Sequence, residues 1–272
     1  MSVIDSFQPI TRSCGLVEAQ IEAVAEAVIR VLEDWDLKLL PLSGLGELQA
    51  PTSHETVRVE RDLQYALQSL DPLSVHIVTR HLLMETKAGW TAYFNNSNLV
   101  DGNRQLVRDV SAELHVKAIY VKEQENTEQR FGAFVFQFHD DGRRLRIIEN
   151  TIQDRGWDFD QGGEPLPFEN TAQYAARKKA DRFNRQMLRA YLRELGLRPF
   201  DDDFYVVDRE HPARLISRID RDERLKSRIQ SVSLSEVRAK DGLDTAAGIP
   251  PIAKPRGESP NVPLPAKPQP QF

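Results

Sequence analysis

The stretch Arg130 to Gln137 constrains the fold more than any other part of the chain. It reads Arg-Phe-Gly-Ala-Phe-Val-Phe-Gln, and this density of aromatic and β-branched residues favours a β-strand. An Asp-Gly pair, Asp141-Gly142, follows it and predicts a tight hairpin turn. Residues 145–152 are apolar enough to return as the partner strand. The chain therefore contains an antiparallel hairpin on which we expect further elements to assemble.

Two more strands precede this hairpin in the sequence. Residues 90–95 are aromatic-rich, and residues 116–121 are rich in Val, Ile and Tyr. A short apolar-periodic helix over residues 106–114 separates them. The order strand, helix, strand, strand, strand shows no repeated parallel crossovers. It therefore predicts an α+β fold with a mostly antiparallel four-stranded sheet over about residues 90–152.

Helices are expected to cover this sheet. Residues 16–35 and, after Thr52, residues up to Leu70 place apolar side chains at helical spacing. Residues 75–84 fit a helix or a strand, and a helix is favoured. A long helix is predicted over residues 170–195, with an apolar side and a basic side. The basic side fits a solvated helix face better than a surface for an acidic partner.

The composition changes along the chain and suggests a domain organisation. We expect a single α+β domain over residues 1–207 and a charged, partly helical extension over residues 208–248. Residues 249–272 hold half of the chain's 16 prolines and predict a disordered, Pro-rich tail.

Composition also excludes several classes of protein. Cys14 is the only cysteine among 272 residues, so no intramolecular disulfide framework or multi-cysteine zinc site can form. No apolar run reaches the roughly 18 residues that cross a bilayer, and the N-terminus does not resemble a signal peptide. A cytoplasmic protein without membrane contact is expected. The net charge of −5 disfavours nucleic acid as a partner.

Sequence motifs give no catalytic set. The chain has no Gly-x-Ser-x-Gly elbow, phosphate-binding glycine loop or dinucleotide fingerprint. The six histidines lack metal-ligand spacing. We therefore predict no catalytic residue, no metal site and no cofactor, and a non-enzymatic role is favoured over an enzymatic one.

An acidic loop over residues 154–164 is a candidate binding site. Asp154, Asp158, Asp160 and Glu164 surround a glycine pair, and such oxygen ligands suit a hard cation. Trp157 and Phe159 interrupt the ligand pattern, however, so a binding loop with docked aromatic side chains is favoured. A second aromatic and acidic segment spans residues 201–205.

Both segments are typical of interfaces that combine aromatic anchors with a charged rim. The predicted contact residues for a protein partner are Trp157, Asp158, Phe159, Asp160, Glu164, Asp201, Asp202, Asp203 and Tyr205. Two alternatives remain open at this point. One is a metal-assisted hydrolase or nucleotide-handling enzyme that uses the acidic loop. The other is a scaffold component that recruits a partner through the Pro-rich tail. The oligomeric state is not predicted.

Three segments resemble a set of uncharacterised bacterial α+β proteins. They are Gly-Trp-Thr-Ala-Tyr-Phe-Asn-Asn at residues 89–96, Gly-Glu-Pro-Leu-Pro-Phe-Glu at residues 163–169, and the run from Leu195 to Tyr205. The resemblance covers about residues 75–205. Some proteins of this type are immunity partners in polymorphic toxin systems. The resemblance thus implies a protein that neutralises a bacterial toxin by direct binding.

Overall fold

The structure is a computed structural model that describes residues 2–39, 52–75, 77–98, 103–153, 156–221 and 229–243. The helices are α1 (Val3–Ser6), α2 (Ile21–Leu39), α3 (Leu63–Gln68), α4 (Asn103–Leu114), α5 (Arg185–Glu194) and α6 (Leu234–Lys240). The strands are β1 (Ser13–Val17), β2 (Ser53–Val59), β3 (Leu73–Ser74), β4 (Arg80–Thr86), β5 (Thr91–Asn95), β6 (Lys117–Gln124), β7 (Ala133–Asp140), β8 (Arg143–Gln153), β9 (Gly156–Gly163), β10 (Tyr205–Val206), β11 (Ala213–Ile219) and β12 (Ser231–Val232).

One large antiparallel sheet organises the described residues. It has ten strands in the order β2-β11-β4-β5-β1-β6-β7-β8-β9, and β10 pairs with β4. Strands β3 and β12 form a separate two-stranded ladder. The α+β class is confirmed, but the predicted four-stranded sheet over about residues 90–152 is wrong. Only β5 to β8 were expected, and they form one part of a sheet that gathers strands from both ends of the chain.

The additional strands depend on distant partners. Strand β11 pairs with β2 along seven residues and with β4 on its other side. Residues 53–59 are largely exposed and carry no strand-like apolar alternation, so their pairing with β11 decides their conformation. The helix expected from Thr52 to Leu70 is therefore wrong over its first part, where β2 forms, and only α3 is helical there. The helix favoured over residues 75–84 is wrong because β4 occupies most of that range. The sheet also continues past the boundary that the composition placed after residue 207.

The long helix predicted over residues 170–195 is also wrong. Two 3₁₀ turns, Thr171–Ala175 and Lys179–Asp181, occupy its first half, and the α-helix is limited to α5. The Nδ2 of Asn150 donates to the carbonyl oxygens of Lys179 and Phe183 at 2.9 and 2.8 Å. This contact removes carbonyls that a continuous helix would use. The side chain of Asn184 then caps α5 by accepting from the Met187 N–H.

The sheet buries an apolar layer on each face. Helices α2 and α4 cover one face. The other face carries Phe134 and Phe136, with Phe138 packed beside them. Helices α1, α3, α5 and α6 contribute buried residues to this second layer. Phe134, Phe136 and Phe138 therefore share one face of β7, as the two-residue period of a strand requires.

The hairpin turn between β7 and β8 is confirmed as well. Asp141 and Gly142 have φ values of 51° and 70°, which is the conformation that an Asp-Gly turn adopts. None of the helices in the described ranges combines the length and apolar composition needed to cross a bilayer. The predicted Pro-rich tail at 249–272 lies outside the described residues.

Candidate functional site

The acidic segment that the sequence singled out forms β9, the last strand of the sheet. Its aromatic side chains point inward. Trp157 stacks on Phe134 with the ring centroids 5.8 Å apart and the planes 6° from parallel. Phe159 lies 5.4 Å from the ring of Tyr174. Both aromatic residues therefore stabilise the contact between β9 and the core, and they are only half-buried.

The acids alternate with these aromatic residues along β9. Asp158 and Asp160 are exposed, and Glu164 is exposed directly after the strand. The Lys179 ammonium lies 2.8 Å from the Asp158 carboxylate. Its hydrogen bond and its charge lower the pKa of Asp158. The β9 edge of the sheet therefore carries three acids, and one of them, Asp158, forms an ion pair with Lys179. Asp154 lies outside the described residues.

A buried ion pair holds the end of β9 in place. The guanidinium of Arg146 on β8 donates to both carboxylate oxygens of Glu169, at 2.8 and 2.6 Å. It also donates to the backbone carbonyls of Gly162 and Gly163 at 3.1 and 3.0 Å. The side chains of Arg146 and Glu169 are only 1% and 0% exposed. This pair fixes the last residues of the edge strand and the loop that follows it.

Glu169 is kept ionised by its partners. Burial alone would raise the pKa of this carboxyl group. The hydrogen bonds from Arg146, the Leu166 N–H and the Tyr174 hydroxyl have a larger, opposite effect, so the pKa is lowered. The same hydrogen bonds favour the charged form of Arg146, whose pKa is raised even though burial alone would lower it.

The second predicted segment, residues 201–205, makes mainly internal contacts. The Asp202 carboxylate accepts hydrogen bonds from the N–H groups of Val3 and Ile4, at 2.6 and 2.8 Å, and so anchors the first turn of α1. Tyr205 is buried, and its hydroxyl donates to the Pro199 carbonyl at 2.5 Å. Its ring is therefore not available as an exposed anchor.

The remaining acids of that segment pair with nearby cations. Asp203 lies 3.2 Å from Arg198 and 3.9 Å from Lys87, and Asp201 lies 3.8 Å from Arg198. Strand β10 begins at Tyr205 and pairs with β4, and five strands separate β4 from β9 in the sheet. The sheet thus does not bring the two predicted segments together as neighbours.

The described residues hold no cluster of metal ligands, and the single cysteine is buried. In the described part of the chain, no three His, Cys, Asp or Glu side chains converge in a geometry that could hold a metal ion. Cys14 lies in β1, and burial raises the pKa of its thiol to about 12. The thiol is therefore protonated at neutral pH.

A polar cleft was not anticipated from the sequence. Its volume is about 100 Å³, and it opens where β1 begins and where β5 and β6 end. The polar lining includes Arg12, Asn95, Asn98, Asn103, Lys122 and Arg130. These residues come from three separate parts of the chain, so no spacing in the sequence links them. The only signal was the run of asparagines from 95 to 103, which predicts turns.

Arg12 is a buried arginine at the wall of the cleft. It is 7% exposed, and its Nη1 lies 3.4 Å from the Asp241 carboxylate. The Nε of Arg130 contacts the same carboxylate. Burial, and then the positive charge of Arg130, lower the pKa of Arg12 to about 10. Two guanidinium groups therefore share one carboxylate beside the cleft.

Two asparagine side chains in the cleft have unused acceptors. Asn103 is 3% exposed, and its Nδ2 donates to the Ser13 hydroxyl at 2.8 Å. Its Oδ1, like that of Asn98, is buried without a hydrogen-bond partner among the described residues. Buried acceptors without partners are rare in folded proteins.

Comparison of the chain with protein-family models, curated proteins and solved structures finds no match.

Proposed function

We propose that this protein is a non-enzymatic binding module that recognises a protein partner through strand β9. The observation that carries the proposal is the position of β9 at the end of the sheet. Within the described residues, β9 has a neighbouring strand only on its β8 side. An edge strand offers backbone hydrogen-bonding groups to which an extended segment of another protein can add.

Charge determines which partner fits this edge. Asp158, Asp160 and Glu164 line it, and Lys179 pairs with only the first of them. A basic extended segment would complement these acids and add to the sheet as a further strand. The Arg146–Glu169 ion pair and the Trp157 stack hold the strand in one conformation, which lowers the entropic cost of binding. The resemblance to immunity proteins makes a cytoplasmic bacterial toxin the partner that we propose.

Acidic edge strands have a competing explanation. Charges on an edge also discourage unwanted pairing with other sheets. Charge reversal at one edge position separates the two explanations, because a purely protective acid contributes nothing to a specific complex.

The experiment begins with affinity purification of the tagged full chain from its native host. The recovered partner is then purified and titrated into the wild type, Asp160→Lys, and the control Glu55→Lys. Asp160 and Glu55 are both exposed acids on end strands of the sheet, but only Asp160 lies on β9. We expect Asp160→Lys to weaken binding at least about tenfold and the control to bind like the wild type. Equal affinity for all three proteins would contradict the assignment to β9.

The other two functions considered from the sequence remain separate proposals. Metal-assisted hydrolysis would use Asp154, Asp158, Asp160 or Glu164 with a divalent ion. Asp154 lies outside the described residues, and the Asp158 carboxylate contacts Lys179. Calorimetric titration with magnesium, calcium and manganese tests it. A scaffold role of residues 249–272 is tested by deleting them and measuring whether the partner is still recovered.

A further inference from the structure

The polar cleft at the ends of β1, β5 and β6 has an excess of positive charge. Arg12 and Arg130 share the single carboxylate of Asp241, so two guanidinium charges face one carboxylate beside the cleft. No Asp or Glu is among the described residues that line it. Helix α4 also begins at the cleft with Asn103, and a helix N-terminus carries partial positive charge. The local field therefore favours an anion.

Arg12 also has hydrogen-bonding capacity to spare. A guanidinium has five N–H donors, yet the one side-chain hydrogen bond of Arg12 to another described residue is the bond to Asp241. A bound anion in the cleft would supply the missing acceptors.

The charge and geometry favour a phosphate group over a carboxylate. A phosphomonoester carries a charge of about −1.5 to −2 at pH 7 and three strong acceptor oxygens. The planar forks of Arg12 and Arg130 match such oxygens in a bidentate manner. A carboxylate would bring a single charge and would leave more of these donors unpaired.

The rest of the lining indicates what the phosphate is attached to. Amide and hydroxyl groups predominate, and Pro9 and Ile10 are the only apolar residues among the described lining residues. None of the described lining residues offers an aromatic ring on which a nucleobase could stack. The unpartnered Oδ1 atoms of Asn98 and Asn103 need hydrogen-bond donors, which hydroxyl groups supply. The cleft volume of about 100 Å³ limits the ligand to a small molecule.

We propose that this cleft binds a phosphorylated small polyol of the sugar-phosphate class. Arg12 and Arg130 contact the phosphate group, and the amides of Asn98 and Asn103 contact the hydroxyl groups. The site is independent of the protein interface proposed on β9, because it lies on β1, β5 and β6. Either proposal can fail without the other.

Isothermal titration of the full chain in low-salt buffer at pH 7.5 tests the proposal, with glucose 6-phosphate as the probe. We expect a Kd below about 1 mM. Inorganic phosphate, citrate and adenosine monophosphate should each bind at least about tenfold more weakly, and glucose should not bind. No measurable binding of glucose 6-phosphate would overturn the proposal. Binding of inorganic phosphate or citrate with equal affinity would overturn the sugar-phosphate assignment.

Variants locate the site. Arg130→Gln removes one of the two guanidinium groups, and Asn103→Asp introduces a negative charge while its carboxylate can still accept from the Ser13 hydroxyl. We expect each to weaken binding at least about tenfold. Arg143→Gln, which removes an exposed charge on β8, is the matched control. Circular dichroism confirms folding. Unchanged affinity in the folded Asn103→Asp variant would overturn the placement of the ligand, even if Arg130→Gln failed to fold.

Discussion

Replacement of Glu169 by glutamine should destabilise the protein strongly, although the side chain keeps its shape. The Glu169 carboxylate accepts two hydrogen bonds from Arg146, one from the Leu166 N–H and one from the Tyr174 hydroxyl. The amide cannot neutralise Arg146, and its NH₂ group would point a donor at other donors. A guanidinium that is 1% exposed would then stay buried without its counter-charge.

The size of the effect follows from this geometry. Removing one partner of a buried ion pair costs about 3–5 kcal/mol, because the remaining charge keeps its desolvation penalty. This is a large part of the roughly 5–15 kcal/mol by which folded domains are stable. With a urea m-value of about 3 kcal/mol/M, the unfolding midpoint should fall by roughly 1–1.7 M.

The assay is equilibrium unfolding in urea at pH 7, followed by circular dichroism and by tryptophan fluorescence. The matched control is Glu164→Gln, the same chemical change at an exposed position, which should alter stability by less than about 0.5 kcal/mol. A loss below about 1 kcal/mol for Glu169→Gln, or equal losses in both variants, would refute the reasoning.

Acid titration provides a second readout of the same group. Because the folded-state pKa of Glu169 is lowered from its usual 4.5, the wild type keeps this stabilisation above the unfolded-state pKa. It loses the stabilisation as the pH falls through the folded-state pKa. The difference in stability between wild type and Glu169→Gln should therefore shrink in that acidic range. A difference that stays constant down to pH 3 would contradict the lowered pKa.

Three further predictions concern other residues. Gly163→Ala should cost about 1–3 kcal/mol, because Gly163 has φ +82° and a Cβ there would lie 1.8 Å from the Leu145 carbonyl oxygen; unchanged thermal stability would argue against that geometry. His139→Leu should stabilise the protein by about 1 kcal/mol at pH 7, since His139 is 2% exposed and neither ring nitrogen has a hydrogen-bond partner within the described residues. Burial, and then the charge of Arg144, lower the pKa of His139 to about 4. The wild type therefore loses stability as the pH falls from about 6.5 toward 4, and the stability advantage of His139→Leu should grow over that range. If the ring were accessible, urea unfolding would show a constant difference in stability between the two proteins across this range. Cys14 should react slowly with a thiol reagent at pH 8 in the folded protein and fully in denaturant, and equal rates in both states would show that the thiol is not buried.

Local sequence signals predicted the hairpin of β7 and β8 well. The density of aromatic and β-branched residues from 131 to 138, together with the Asp141-Gly142 turn, was enough to define β7 and β8, because a hairpin depends on neighbouring residues. Strand β5 and helix α4 were also predicted, since their periodicity is strong over a short span.

The elements that sequence reasoning missed depend on partners far along the chain. Residues 53–59 and 213–219 become strands because they pair with each other, and residues 214–217 also pair with β4. Residues 171–183 do not form a continuous helix, because the side chain of Asn150 on β8 donates hydrogen bonds to the carbonyl oxygens of Lys179 and Phe183. Such contacts override helix propensity, and they leave no trace in the local pattern.

The same division applies to the candidate sites. The sequence by itself identified an acidic, aromatic segment at 157–164, since residue types and turn signals are local properties. Only the tertiary structure decided that Trp157 and Phe159 pack inward while the acids stay on an edge strand. It also brought Arg12, Asn103 and Arg130 to one cleft beside Asp241. The physical reason is that composition sets which groups are available, whereas strand pairing sets which of them meet.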